Sequence, residues 1–139
     1  QYTQRGQIFD SFALLQPTSP LRKAEDIVKS YELMRIKEAN AIVGVTETDH
    51  SPLWCGILPE DQSLVGFLRE SRANQRRQDI TPYYRINGAI YIVTTDYFEQ
   101  TKDIYESNCY AFIMSREKSI DIDTKLDFFV AEIISKNFL

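Results

Sequence analysis

Residues 9–46, FDSFALLQPTSPLRKAEDIVKSYELMRIKEANAIVGVT, decide the fold class. Phe9–Leu15 closes on an apolar run and reads as a buried strand. Gln16-Pro17-Thr18-Ser19-Pro20 follows, and its two prolines forbid both a helix interior and a central ladder, so the strand ends in a stiff loop. Ala24–Lys37 then places Ala24, Ile27, Val28, Tyr31 and Met34 at helical spacing. Glu25 and Asp26 stand in its first turn, Arg35 and Lys37 in its last, as the helix dipole favours. Ala41–Thr46 is a second apolar strand. Strand, loop, helix, strand predicts an α/β fold with a mainly parallel sheet covered by helices. Ligands of such sheets collect at the carboxyl ends of the strands, where the Gln16–Arg22 loop sits.

Outward from there the character changes. Between His50 and Tyr84, Pro52, Pro59 and Pro82 interrupt the chain, Leu53–Leu58 and Leu64–Leu68 read as short strand pieces, and residues 71–78 (SRANQRRQ) are polar and basic. This stretch breaks the alternation of strand and helix and is expected to be an inserted arm, about residues 50–84, within a single domain spanning 1–139. Asn87-Gly88 opens a β-rich run, Ala89–Thr95, expected as a central strand. Asp96–Tyr105 reads as helix and Tyr110–Met114 as a short strand. The last helix has a capping box in Thr124 and Asp127 and an apolar stripe of Leu126, Phe129, Val130, Ile133 and Ile134.

Composition narrows the function. The chain has 139 residues, 43% hydrophobic and 26% charged, which suits one folded domain rather than a disordered segment. A net charge of −4 argues against an obligate nucleic-acid binder, which needs clustered cations, but allows a small anionic substrate held by a few arginines. Cys55 and Cys109 are far apart and read as free thiols, and His50 is the only histidine, so neither a disulfide framework nor a histidine-rich metal site is expected. No leader and no run long enough to span a membrane is visible, which makes the cytoplasm the default location.

Three features carry chemistry. In Ser119-Ile120-Asp121-Ile122-Asp123-Thr124 two aspartates one residue apart point to the same side of an extended segment. Two such carboxylates repel unless a cation lies between them or a proton neutralises one, and Mg²⁺ takes one or two carboxylates while leaving positions for water and phosphates. The same pair before a helix also complements the helix dipole, and in isolation that is the commoner role. Arg72, Arg76, Arg77 and Arg85 suit carboxylate or phosphate recognition, or else form a solvated basic face. Gln16, Thr18 and Ser19 put an amide and two hydroxyls on a rigid loop, equally suited to a hydroxyl-rich ligand or to plain helix entry. Trp54, Tyr83, Tyr84 and Tyr91 read as core or interface aromatics.

LLQPTSPLR (14–22) with Asp26-Ile27, RRQD…YRINGAIYI (76–92) and SIDIDTKLDF (119–128), in this order, resemble the acylneuraminate cytidylyltransferase (CMP-sialic acid synthetase) family. The resemblance runs from about Phe9 to the end of the chain. It implies a Rossmann-like, three-layer nucleotidyltransferase fold. It also implies transfer of CMP from CTP to a nonulosonic, sialic-type sugar acid with release of pyrophosphate. Asp121 and Asp123 match the family's metal-binding, catalytic aspartates, with Mg²⁺ as the cofactor. Gln16 matches a glutamine that contacts the sugar. Arg77 and Arg85 match arginines near the acidic sugar and phosphates, Arg85 with a catalytic role, and Asn87 matches an asparagine beside them. The stretch like 50–84 is a dimerisation arm in the family, implying a homodimer. CTP and the sugar acid are the implied partners, with neither nucleic acid nor membrane.

Two departures stand out. The family's basic, glycine-containing loop of the type ARxGSK, which cradles the triphosphate, has no counterpart here, so the chain is expected to be a carboxyl-side part that is inactive alone. Trp54 follows Ser51-Pro52-Leu53 where some members carry a lysine near the sugar carboxylate. A non-catalytic dimerising fragment, or a cytidylyltransferase for legionaminic, pseudaminic or Kdo-type acids, are the alternatives.

Overall fold

The structure, a computed structural model, describes residues 5–67 and 81–138. Strands β1 (Ser11–Leu14), β2 (Ala41–Glu47), β3 (Tyr84–Thr94) and β4 (Cys109–Ile113) alternate with helices α1 (Ala24–Lys37), α2 (Thr95–Thr101) and α3 (Lys125–Asn137). The chain is α/β, with a four-stranded sheet of order β1-β3-β2-β4.

The sheet is mixed rather than mainly parallel. β1 runs antiparallel to β3, with Phe12 opposite Val93 and Leu14 opposite Tyr91, whereas β2 and β4 are parallel, with Ile42 opposite Tyr110. The expected β-α-β unit exists in the chain, but β1 and β2 are not neighbours, because β3 lies between them. The reason is burial. Ala89, Ile90, Ile92 and Val93 are almost fully buried, so β3 needs a partner on each side, while β1 has only four residues and leaves Phe12 and Leu14 exposed.

Alternation along β2 and β3 feeds two apolar clusters on opposite faces. Ile42, Ile90 and Ile92 pack with Met34 and Ala39 on the α1 side, and Ala41 and Val93 pack with Tyr97 of α2 on the other. The buried face of α1 contains Asp26, Ser30 and Met34, while Val28 and Tyr31 point outward, a rotation from the apolar face read from spacing. Polar residues can occupy that face because each is bonded. The Ser30 hydroxyl donates to the Asp26 carbonyl at 2.7 Å, and the Asp26 carboxylate receives Lys118 at 2.8 Å.

Three other expectations change. Leu53–Leu58 forms no strand: Pro52–Trp54 is a 3-10 turn, capped by the Ser51 hydroxyl, with irregular chain after it. The described part of Leu64–Leu68 is likewise a turn, as its apolar residues have no strand partner to bury against. The helix after β3 stops at Thr101, where Lys102 takes a left-handed conformation. On α3 the apolar stripe faces solvent: Leu126, Phe129, Val130 and Ile133 are exposed, and Ala131 is the buried contact.

The described backbone divides into two compact units, one of residues 1–46 with 86–139 and one of residues 47–85. The stretch read as an arm lies in the second unit, where the Thr48 N–H donates to the Tyr83 carbonyl at 2.8 Å. No helix among the described residues is long and apolar enough to cross a membrane. Cys55 and Cys109 are free thiols.

Candidate functional site

The stiff loop after β1 is held from within. Arg22 donates through one guanidinium nitrogen to the carbonyls of Gln16, at 2.8 Å, and Ser19, at 2.5 Å. Two prolines and this staple fix the backbone on which Gln16 stands. The loop then joins β3: the Ser19 hydroxyl, fully buried, donates to the Asn87 carbonyl at 3.0 Å. Gly88 follows with φ +72°, and a Cβ there would collide with the side-chain oxygen of Gln16. Glycine is thus required twice, for the left-handed backbone and for the close approach of the Gln16 amide.

The acidic segment meets the same loop. The Ile122 N–H donates to the Thr18 carbonyl at 2.8 Å. Ile122 lines a groove with Pro20, Leu21, Phe128 and Ala131. Asp121 and Asp123, on either side of Ile122, do not line that groove. Before them, the Ser119 hydroxyl accepts from the Asn87 amide at 2.9 Å and donates to the Ser115 carbonyl at 2.7 Å. Lys118 ties this turn to α1 through Asp26, at 2.8 Å, and Glu25, at 3.1 Å. The hydrogen bonds that Lys118 donates to Asp26 and Glu25 push its ammonium up, against its desolvation, and Lys118 in turn holds the Glu25 carboxyl down.

Asp121 is half-buried and Asp123 exposed. Oδ1 of Asp121 is buried and has no hydrogen-bond partner among the described residues; Thr46 Oγ1 is in the same condition. A buried carboxylate oxygen without a donor is costly unless a cation meets it. Mg²⁺, which accepts one or two carboxylates and completes its shell with water and phosphate, fits this donor set. No cluster of three or more acidic, histidine or cysteine groups suited to a metal occurs among the described residues, so a site here draws further ligands from elsewhere. The Asp-x-Asp pair also touches the helix: the Asp127 carboxylate of the capping box accepts from Thr124 at 2.7 Å and from the Asp123 N–H at 3.3 Å. Those bonds, the Thr124 hydroxyl first, hold the Asp127 carboxyl below its ordinary value.

Of the residues singled out in the sequence, Asn87 is bonded to the loop that carries Gln16 through Ser19 and to the segment before Asp121 through Ser119, and Ile122, between Asp121 and Asp123, is bonded to Thr18. Arg85 lies at the start of β3 with an exposed side chain, in the unit of residues 47–85. Arg72, Arg76 and Arg77 lie outside the described residues. Lys118 was not legible as a site-building residue, since its partners Glu25 and Asp26 are more than ninety positions away. Tyr91, read as a packing aromatic, stands near Asp121: burial first, and the Asp121 charge second, raise its phenol above the ordinary value.

Comparison with known proteins bears on this arrangement. The N-acylneuraminate cytidylyltransferase of Streptococcus agalactiae serotype V is 33% identical over 117 residues, covering 84% of this chain and 28% of that protein. The one from Escherichia coli O18:K1:H7 is 33% identical over 129 residues, or 92% of this chain and 30% of the relative. The chain belongs to the N-acylneuraminate cytidylyltransferase family. Family members with another named product also match: the CMP-N,N'-diacetyllegionaminic acid synthase of Legionella pneumophila is 32% identical, with 95% of this chain and 56% of that protein covered. The chain therefore spans about 28% to 56% of the length of these cytidylyltransferase relatives. No protein-family model matches it.

Proposed function

We propose that the protein carrying this chain transfers CMP from CTP to a nonulosonic sugar acid and releases pyrophosphate. The anomeric hydroxyl oxygen of the sugar acid forms the new bond to the α-phosphorus, the α–β phosphoanhydride bond breaks as pyrophosphate leaves, and the hydroxyl proton passes to water. The observation that supports this reading is the convergence of Gln16, Gly88 and the Asp121–Asp123 segment through the bonds of Ser19, Asn87, Ser119 and Ile122. Family membership supplies the reaction class, and the chemistry of the site is compatible with it.

Asp121 and Asp123 would hold Mg²⁺, which when bound neutralises charge on the phosphates. Gln16 orients the sugar from the stiff loop, and Asn87 stands beside it. Arg77 and Arg85 offset the charge of the sugar carboxylate and phosphates. The 50–84 stretch serves as the dimerisation arm of a homodimer, in a Rossmann-like three-layer enzyme that works in the cytoplasm. The names of the relatives, which include neuraminate, diacetyllegionaminic acid and pseudaminic acid, support a sialic-type sugar acid as the acceptor.

The test is pyrophosphate release by the full-length protein with CTP, Mg²⁺ and either N-acetylneuraminate or N,N'-diacetyllegionaminic acid. Release that requires nucleotide, sugar acid and metal together is the expected result. Release without a sugar acid, or none with any sialic-type acid, would sink the proposal.

A further inference from the structure

We infer that Asn87 is a positioning residue for the Asp121–Asp123 segment, acting through the Ser119 hydroxyl. This rests on the proposed metal role of that segment and goes beyond it, because it assigns the amide of Asn87 to the protein and not to a ligand. Asn87 is 2% exposed and Ser119 is 0% exposed. The Asn87 side-chain oxygen accepts the Ala89 N–H at 3.0 Å, which fixes the amide orientation and turns its nitrogen toward Ser119 Oγ at 2.9 Å and Met114 Sδ at 3.3 Å. Both amide hydrogens are therefore committed inside the protein. From β2, Gly44 leaves the space that the amide fills: a Cβ there would stand 2.7 Å from the Asn87 oxygen.

The same residue holds the other half of the site by its backbone, since its carbonyl accepts the Ser19 hydroxyl. One buried asparagine thus sets the spacing between the loop that presents Gln16 and the segment that presents Asp121. The Ile122 N–H to Thr18 carbonyl bond closes the circuit at the far end. Removing the Ser119 hydroxyl leaves the Asn87 N–H without its oxygen acceptor and frees the start of the acidic segment, while the side chains of Asp121 and Asp123 are chemically unaltered.

The experiment compares Ser119→Ala and Gly44→Ala with Ile42→Val in the full chain by amide hydrogen exchange and by Mn²⁺-induced broadening of the Asp121–Asp123 amide signals. Ile42→Val weakens the core without touching the network. Gly44→Ala displaces the Asn87 amide from a different strand and keeps the Ser119 hydroxyl. Ser119→Ala and Gly44→Ala are expected to speed exchange at Ile122 and to weaken Mn²⁺ binding by about fivefold, the size of one lost hydrogen bond. Ile42→Val, at a comparable fall in melting temperature, leaves both within about twofold. Equal effects from all three variants, or none at Ile122 in the first two, would overturn the positioning role. Normal chain that shows no Mn²⁺ broadening, yet loosens at Ile122 on Ser119→Ala, would remove the metal reading and leave the positioning role standing.

Discussion

A carboxylate oxygen buried with no donor among the described residues, Asp121 Oδ1, is the residue-level observation behind the proposed Mg²⁺ role. Substituting Asp121 or Asp123 by Asn keeps shape and removes charge. In the full-length protein either change is expected to lower metal-dependent turnover at least about a hundredfold, the loss of several kcal/mol of charge stabilisation. Near-normal turnover of Asp123→Asn would remove that residue from the metal site. Gly88 makes a second demand. Its φ of +72° and the contact with Gln16 mean that Gly88→Ala strains the backbone and displaces the Gln16 amide. The expected cost is about 1–2 kcal/mol from the left-handed conformation, read by chemical denaturation, with a raised KM for the sugar acid. An unchanged KM would dissociate Gln16 from sugar binding. Tyr91 and Tyr105 are both raised, chiefly by burial. A raised phenol pKa stabilises the fold up to the ordinary tyrosine value, and that stability is lost as pH rises toward the folded value. An ultraviolet titration should show Tyr91 and Tyr105 ionising above the ordinary tyrosine value.

At the level of elements, α3 depends on its cap and the cap depends on pH. The Thr124 hydroxyl accepts the Asp127 N–H at 3.3 Å and donates to the Asp127 carboxylate at 2.7 Å. Thr124→Ala should cost about 1 kcal/mol, as for other N-cap deletions, measurable in a thermal melt. The Asp127 carboxyl is depressed, so its contribution is present above the unfolded value and lost as pH falls through the folded one. Faster amide exchange at Thr124 and Asp127 in acid, below about pH 4, is the expected sign. This capping box was legible in the sequence because all its atoms lie within four residues. So were the bounds of α1, Ala24–Lys37, set by charge at its two ends, and the position of β2. Strand order was not legible. Placing β3 between β1 and β2 depends on contacts between residues dozens of positions apart, as does the burial of Asn87 against Gly44 and Ser119. The face of α1 was misjudged for the same reason: Asp26 is buried because Lys118, ninety-two positions later, meets it.

At the scale of the molecule, the apolar stripe read on α3 is largely solvent-facing, with Leu126 69% and Ile133 57% exposed. Ile133→Lys should therefore change stability by no more than about 0.5 kcal/mol, as for other surface positions; a much larger loss would place Ile133 in a packed interface. The bonds of Ser19, Asn87, Ser119 and Ile122 that tie the Gln16 loop to the acidic segment lie within the unit of residues 1–46 and 86–139. Arg85 stands in the other unit, and its role and that of Arg77 belong to the proposed reaction. That reaction stands or falls on one assay: pyrophosphate release by the full-length protein with CTP, Mg²⁺ and a sialic-type acid, run beside Asp123→Asn. The account predicts release that needs all three components and collapses in the variant. Release that survives Asp123→Asn, or that proceeds without the sugar acid, would contradict it.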